Sequence, residues 1–118
     1  MINESMFSRT ITDLAVAAPG LPEGTLGWTR ESAKRALRSL VGKIGVSGVS
    51  VFDRVQWGFA RAPEFFQSFP LRNERATEFA IRSRTEAEKW IDGFPRSEVL
   101  FVLEFSFQDE AAEGTGSI

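Results

Sequence analysis

The chain has 118 residues, of which 42% are hydrophobic and 25% are charged, and its formal net charge is −2. This length and composition are typical of a single globular domain. The sequence contains neither cysteine nor histidine, which excludes disulfides, thiolate chemistry, zinc sites and imidazole acid–base catalysis. No apolar run approaches the ~20 residues that cross a bilayer, so we expect a soluble, cytoplasmic protein.

Two helices are predicted in the first third of the chain. Residues 4–18 carry apolar residues at helical spacing, and this helix is expected to end at Pro19 and Gly20. Thr29 is a suitable N-cap for a second helix that runs to about Lys43.

The middle of the chain is predicted to contain two strands separated by a short helix. Apolar residues alternate over residues 49–59, which indicates a first strand. Residues 63–69 suit a short helix or turn, because Pro63 fits the first helical position and Pro70 ends it. Residues 77–82 alternate again around Phe79 and Ile81, which predicts a second strand.

The stretch from Ser83 to Gln108 predicts a capped helix followed by the most hydrophobic strand of the chain. Ser83 and Glu86 have the spacing of a capping box, and Gly93 and Pro95 are typical of a helix end. In residues 98–108 both strand faces are apolar for half the length. Such a strand usually lies in the interior of a sheet.

Together these elements predict an α+β domain. We expect a small, mostly antiparallel sheet of about three strands, covered on one face by about three helices. The domain is expected to span residues 1–108, and residues 109–118 form an acidic tail without periodicity that we expect to be mobile.

An aromatic cluster is the feature most suggestive of function. It comprises Trp57, Phe59, Phe65, Phe66 and Phe69. Three phenylalanines within residues 63–69 are difficult to bury on one side. One interpretation is that these rings close the core, and the other is that one or two of them are exposed anchors for a partner.

The second predicted helix has a basic face formed by Arg30, Lys34 and Arg38, and residues 28–43 contain five basic residues and one acidic residue. This face is a solvated surface, a contact for an acidic partner protein, or a contact for phosphates. A chain with a net charge of −2 lacks the excess of basic residues that is typical of a dedicated nucleic-acid binder.

No catalytic constellation, metal site or cofactor motif is found in the sequence, so we expect a non-enzyme without cofactors. The main hypothesis is a small protein-binding module of the inhibitor, immunity, anti-defence or adaptor type. Its contact residues are then Arg30, Lys34, Arg38, Trp57, Phe65, Phe66 and Phe69.

Two alternatives stay open. The first is a nucleic-acid-associated protein that uses the basic helix. The second is a small-molecule-binding domain that uses Arg54 and Glu104. A homodimer is also expected, because Phe52, Leu100 and Val102 make the second sheet face partly apolar.

Overall fold

The computed structural model describes residues 20–23 and 25–107, and at residue 107 only the backbone. Within this region two helices and three strands follow one another in the order α1 (Arg30–Ser39), β1 (Ile44–Val55), β2 (Gly58–Gln67), α2 (Ala76–Asp92) and β3 (Val99–Phe107). The strands form one antiparallel sheet in the order β2-β1-β3. The predicted α+β class and three-stranded sheet are confirmed, whereas the described region contains two helices rather than about three.

Helix α1 begins where the sequence predicts and ends earlier. The hydroxyl of Thr29 accepts a hydrogen bond from the backbone N–H of Ser32 at 3.4 Å, which confirms this N-cap. The helix ends at Ser39, because Leu40 is already extended and Gly42 has a φ of 60°. The prediction of a helix as far as Lys43 is therefore wrong by one turn.

Strands β1 and β2 form a hairpin whose turn lies at Gln56 and Trp57, with Val55 paired to Gly58. The single strand predicted over residues 49–59 is therefore wrong. The short helix or turn predicted over residues 63–69 is also wrong, since most of that stretch belongs to β2. Pro63 is compatible with a strand here because β2 is at the sheet edge, where one side of the backbone needs no donor.

Helix α2 includes residues that the sequence assigns to a strand and to a helix start. The strand predicted over residues 77–82 is wrong, because those residues form the first turns of α2. Ser83 is in the middle of the helix and is fully buried. The N-terminal cap involves Glu78, whose Oε1 accepts a hydrogen bond from the backbone N–H of Arg75 at 2.8 Å. The predicted helix end at Gly93 is confirmed.

Strand β3 is an edge strand of the sheet, and β1 is the central one, so the prediction that β3 is interior is wrong. Its apolar character has another cause. Trp28 exchanges two backbone hydrogen bonds with Phe101, at 2.8 and 2.7 Å, along the outer side of β3. Phe52 and Leu100 are 2% and 4% exposed in the single chain, so these two residues give no reason to expect a homodimer.

The core lies between the sheet and the two helices. Ala33 and Leu37 of α1 and Ile91 of α2 belong to the same buried cluster as Val51 and Phe101 of the sheet. Both helices therefore cover the same sheet face. Arg84 fixes α2 further, because its guanidinium donates to the carbonyl oxygens of Ile44 at 2.7 Å and Gly42 at 2.6 Å. Burial lowers the pKa of Arg84.

Some sequence predictions fall outside the described residues. These are the helix over residues 4–18, the tail over residues 109–118, and the domain boundary at residue 108. Neither α1 nor α2 has the length and apolar character needed to span a membrane.

Candidate functional site

A cleft of about 580 Å³ lies between the sheet edge and the C-terminal end of α2. Strand β2 contributes one wall, and the last turns of α2 with the loop that follows contribute the other. The lining residues are Pro63, Glu64 and Phe65 from β2, and Lys89, Trp90, Gly93, Phe94 and Pro95 from α2 and its loop. We call this feature the aromatic cleft.

The cleft has a floor of packed aromatic rings. The Trp90 ring centroid is 5.4 Å from that of Phe94 and 6.1 Å from that of Phe66. Phe94 in turn meets Phe101 edge-to-face at 5.6 Å. Because Phe101 is fully buried, this chain of contacts connects the cleft to the core. The floor is therefore formed before any ligand arrives.

Phe65 contrasts with these packed rings. It lies on the wall of the cleft and is 59% exposed. Its exposure follows from the two-residue period of β2: Phe66 pairs with Val49 and packs on the core, so Phe65 points away from the core. Because β2 is an edge strand, Phe65 still borders the cleft. An exposed ring beside a fixed aromatic floor is available for contact with a partner.

Arg96 holds the loop after α2 against the sheet. Its guanidinium donates to Asp53 at 2.8 Å and to both carboxylate oxygens of Glu64, each at 2.8 Å. It also lies over the Phe94 ring, 4.9 Å from the centroid. The hydrogen bond from Arg96 is the main cause that lowers the pKa of Glu64 to about 2. The carboxylate in the cleft wall is thus ionised and already paired.

Lys89 is the remaining cation of the cleft. It is exposed on the last turns of α2 and makes no ion pair with any residue that the structure describes. Since Glu64 is neutralised by Arg96, the unpaired charge of the described cleft lining is positive.

The three side chains of the predicted basic face make contacts within the fold. Arg30 donates to the backbone carbonyl oxygens of Asp92 and Arg96, at 3.0 and 2.8 Å. Lys34 pairs with the Asp92 carboxylate at 2.8 Å, and Arg38 donates to Glu88 through Nε at 3.0 Å. The hydrogen bonds to these carboxylates raise the pKa of Lys34 and Arg38. These three side chains join α1 to the C-terminal half of α2.

The predicted aromatic residues are dispersed, and Phe65 is the one that lines the cleft. Trp57 is 65% exposed in the hairpin turn, and Phe69 is 66% exposed after β2. The Phe66 ring packs against Trp90 in the floor of the cleft. The sequence missed Lys89, Phe94 and Pro95 as site residues. The pair Phe94-Pro95 directly follows a predicted helix end. A large ring at that position has to pack against a neighbouring element, so this pair is a sequence signal for the site.

Arg54 and Glu104, the residues of the small-molecule alternative, are not brought together. Arg54 lines a depression of about 250 Å³ with Phe59 and Glu98, and Glu104 lines a separate one of about 240 Å³. Among the described residues no group of three or more carboxylates could hold a metal ion.

Comparison with known proteins identifies no relative: no family model, curated protein or solved structure matches this chain.

Proposed function

We propose that the chain is a small, non-catalytic protein-binding module of the inhibitor, immunity, anti-defence or adaptor type, and that the aromatic cleft is its contact surface. The observation that carries this proposal is the exposed ring of Phe65 beside a floor of packed rings. Large aromatic side chains in a fixed setting supply most of the binding energy at many protein interfaces.

The physical argument rests on pre-organisation. Association costs less when contact groups are already ordered, because fewer side-chain conformations are lost. Trp90 and Phe94 are held by each other and by Phe101, and Glu64 is held by Arg96. A partner that inserts an apolar side chain here removes apolar area from water without having to order the floor.

The nucleic-acid alternative has less support. The cations on which it depends, Lys34 and Arg38, are paired with Asp92 and Glu88. Phosphate groups would have to compete with these carboxylates. A measurement of DNA and RNA binding at rising salt tests this alternative, and a steep loss of affinity with salt would support it.

The test compares two exposed phenylalanines. The parent, Phe65→Ala and Phe69→Ala are used as baits in a native lysate, and captured proteins are identified by mass spectrometry. Phe65 and Phe69 are similarly exposed, at 59% and 66%, but only Phe65 lines the cleft. We expect a partner that the parent and Phe69→Ala retain and that Phe65→Ala loses. Equal capture by all three proteins would contradict the assignment of the cleft.

A further inference from the structure

A second depression lies on the sheet face opposite the helices, and it has a glycine as its floor. It measures about 240 Å³. Val49 points to the core, so its strand neighbours Gly48 and Ser50 point to the opposite face. Gly48 pairs with Glu104 on β3 and with Gln67 on β2, and Ser50 pairs with Phe65. We call this feature the glycine pocket.

The absence of a side chain at Gly48 keeps the pocket open. A Cβ atom at this position would lie 3.2 Å from Oε1 of Glu104 and 3.3 Å from the backbone oxygen of Phe66. Both distances are shorter than ordinary van der Waals contacts. The Glu104 carboxylate therefore lies over the space that any larger residue would fill.

Arg61 and Glu104 bring opposite charges to this pocket, yet neither makes an ion pair with any described residue. Arg61 is positioned instead by the Ser50 hydroxyl, to which it donates at 3.2 Å, and by the Phe52 ring, 5.2 Å from its guanidinium carbon. Elsewhere in the fold, Arg38, Arg82 and Arg96 each bind a carboxylate directly. Arg61 therefore differs from these three arginines, because it has no carboxylate partner among the described residues.

We propose that the glycine pocket binds a small zwitterion of the size of an amino acid. The ligand's ammonium group lies at the Glu104 carboxylate, and its carboxylate lies at the Arg61 guanidinium, whose planar fork suits two parallel hydrogen bonds. An apolar ligand side chain lies against Phe65, which lines the same pocket. A molecule with one charge leaves either Arg61 or Glu104 without a counter-charge, so both charges are required for good affinity. Phe65 is shared with the proposed protein-binding surface, but ligand binding is tested on the isolated chain, so the two proposals can fail separately.

The test uses three probes with the same ring. Isothermal titration calorimetry at millimolar ligand concentration compares L-phenylalanine with 3-phenylpropionate, which lacks the ammonium, and with phenethylamine, which lacks the carboxylate. We expect each singly charged probe to bind about 10-fold more weakly than L-phenylalanine, the loss expected for one charge-assisted contact. If the parent binds none of the probes, or binds all three alike, the proposal is overturned.

Variants assign the two charges. In Glu104→Gln, L-phenylalanine should bind no better than 3-phenylpropionate, and in Arg61→Gln no better than phenethylamine. Arg54→Gln and Glu98→Gln are the controls, because they change the same charge types in the separate 250 Å³ depression and should leave binding unchanged. Thermal unfolding establishes that each variant is folded. If folded Glu104→Gln and Arg61→Gln keep the parent's affinity for L-phenylalanine, the proposal is overturned.

Discussion

The Ser83 hydroxyl oxygen accepts a hydrogen bond from the backbone N–H of Val46 at 2.9 Å, which joins the middle of α2 to the central strand. The pairing of β1 with β3 shifts register between Val46 and Gly48. A backbone donor beside such an irregularity is at risk of being left without a partner. Ser83 supplies the acceptor, and its own hydroxyl donates to the carbonyl of Ala80 at 3.2 Å.

Ser83→Ala is therefore expected to destabilise the fold. The substitution leaves the buried N–H of Val46 without an acceptor, which costs about 1–3 kcal/mol of unfolding free energy. Urea denaturation measures the effect. Thr85→Ala is the matched control, since Thr85 is an exposed residue of the same helix whose hydroxyl bonds only the carbonyl of Ile81. An unfolding midpoint for Ser83→Ala equal to that of Thr85→Ala would show that this bond is not needed.

The absence of a side chain at Gly45 also allows α2 to pack closely against β1. A Cβ atom there would lie 2.7 Å from the Phe79 ring and 3.0 Å from the Ser83 hydroxyl. We expect Gly45→Ala to lower the unfolding free energy by about 1–3 kcal/mol through overpacking. Because the clash is with the Phe79 ring, Phe79→Leu should cost less in the Gly45→Ala background than in the parent. A double-mutant cycle measured by urea denaturation tests this, and additive effects would refute the steric explanation.

The Ser83 contact also explains why the sequence misled at this point. Ser83 and Glu86 have capping-box spacing, but that spacing recurs within helices, and burial of the serine depends on β1, which is distant in sequence. Phe79 and Ile81 alternate like strand residues, yet in α2 one is 1% and the other 65% exposed. A short apolar pattern does not distinguish the period of a helix from that of a strand, and tertiary packing then determines which of the two forms.

The elements that the sequence predicts correctly have local signals. Thr29 caps α1 and Gly93 ends α2 through contacts within a few residues. The cleft required longer-range information, because it brings Phe65 together with Trp90 and Phe94. Likewise, the pairing of Lys34 with Asp92, and the lack of an ion pair for Lys89 among the described residues, depend on where α1 lies against α2. The residue type alone does not show which of these two lysines forms an ion pair.

The stability of the fold is expected to fall in acid because of Glu64 and Glu74. Hydrogen bonds from Arg96 and Arg82 lower both pKa values from 4.5 to about 2. The unfolded chain therefore binds protons on these groups before the folded chain does. Their contribution is fully present above about pH 4.5 and is lost as the pH falls towards about 2.

Urea denaturation at about pH 7 and about pH 3 tests this linkage. The double variant Glu64→Gln with Glu74→Gln should lose less unfolding free energy between the two pH values than the parent does. Glu98→Gln removes an exposed carboxylate that has no ion pair with a described residue, and it serves as the control. An unchanged pH dependence in the double variant would mean that these two pairs do not contribute.

Phe101 is expected to carry much of the core stability. It is fully buried, and its ring contacts those of Trp90 and Phe94. Phe101→Ala should cost about 3–5 kcal/mol, which is a large part of the stability of a small domain. Phe65→Ala, at an exposed position, should leave the urea midpoint close to that of the parent. If Phe65→Ala proved equally destabilising, its ring would be structural and loss of partner binding could not be assigned to contact.

The cations of α1 and α2 are expected to act in different ways once a partner is available. Lys34 and Arg38 already bind Asp92 and Glu88, so reversing both charges places like charges together between the helices. We expect Lys34→Glu with Arg38→Glu to lower the urea midpoint. Lys89 has no such pair among the described residues, so Lys89→Glu should lower the midpoint less, by only the small effect of an acidic residue in the last turn of a helix.

Lys89→Glu should instead slow association with an acidic partner, because an exposed charge beside the cleft acts through the screened field that steers encounter. Stopped-flow or surface-based kinetics at low and high salt measure this effect. The association rate should fall at low salt and approach that of the parent at high salt, with little change in dissociation. Arg35→Glu reverses an exposed charge on α1, away from the cleft lining, and should have a smaller effect. Equal slowing by the two variants would indicate a general charge effect and not steering towards the cleft.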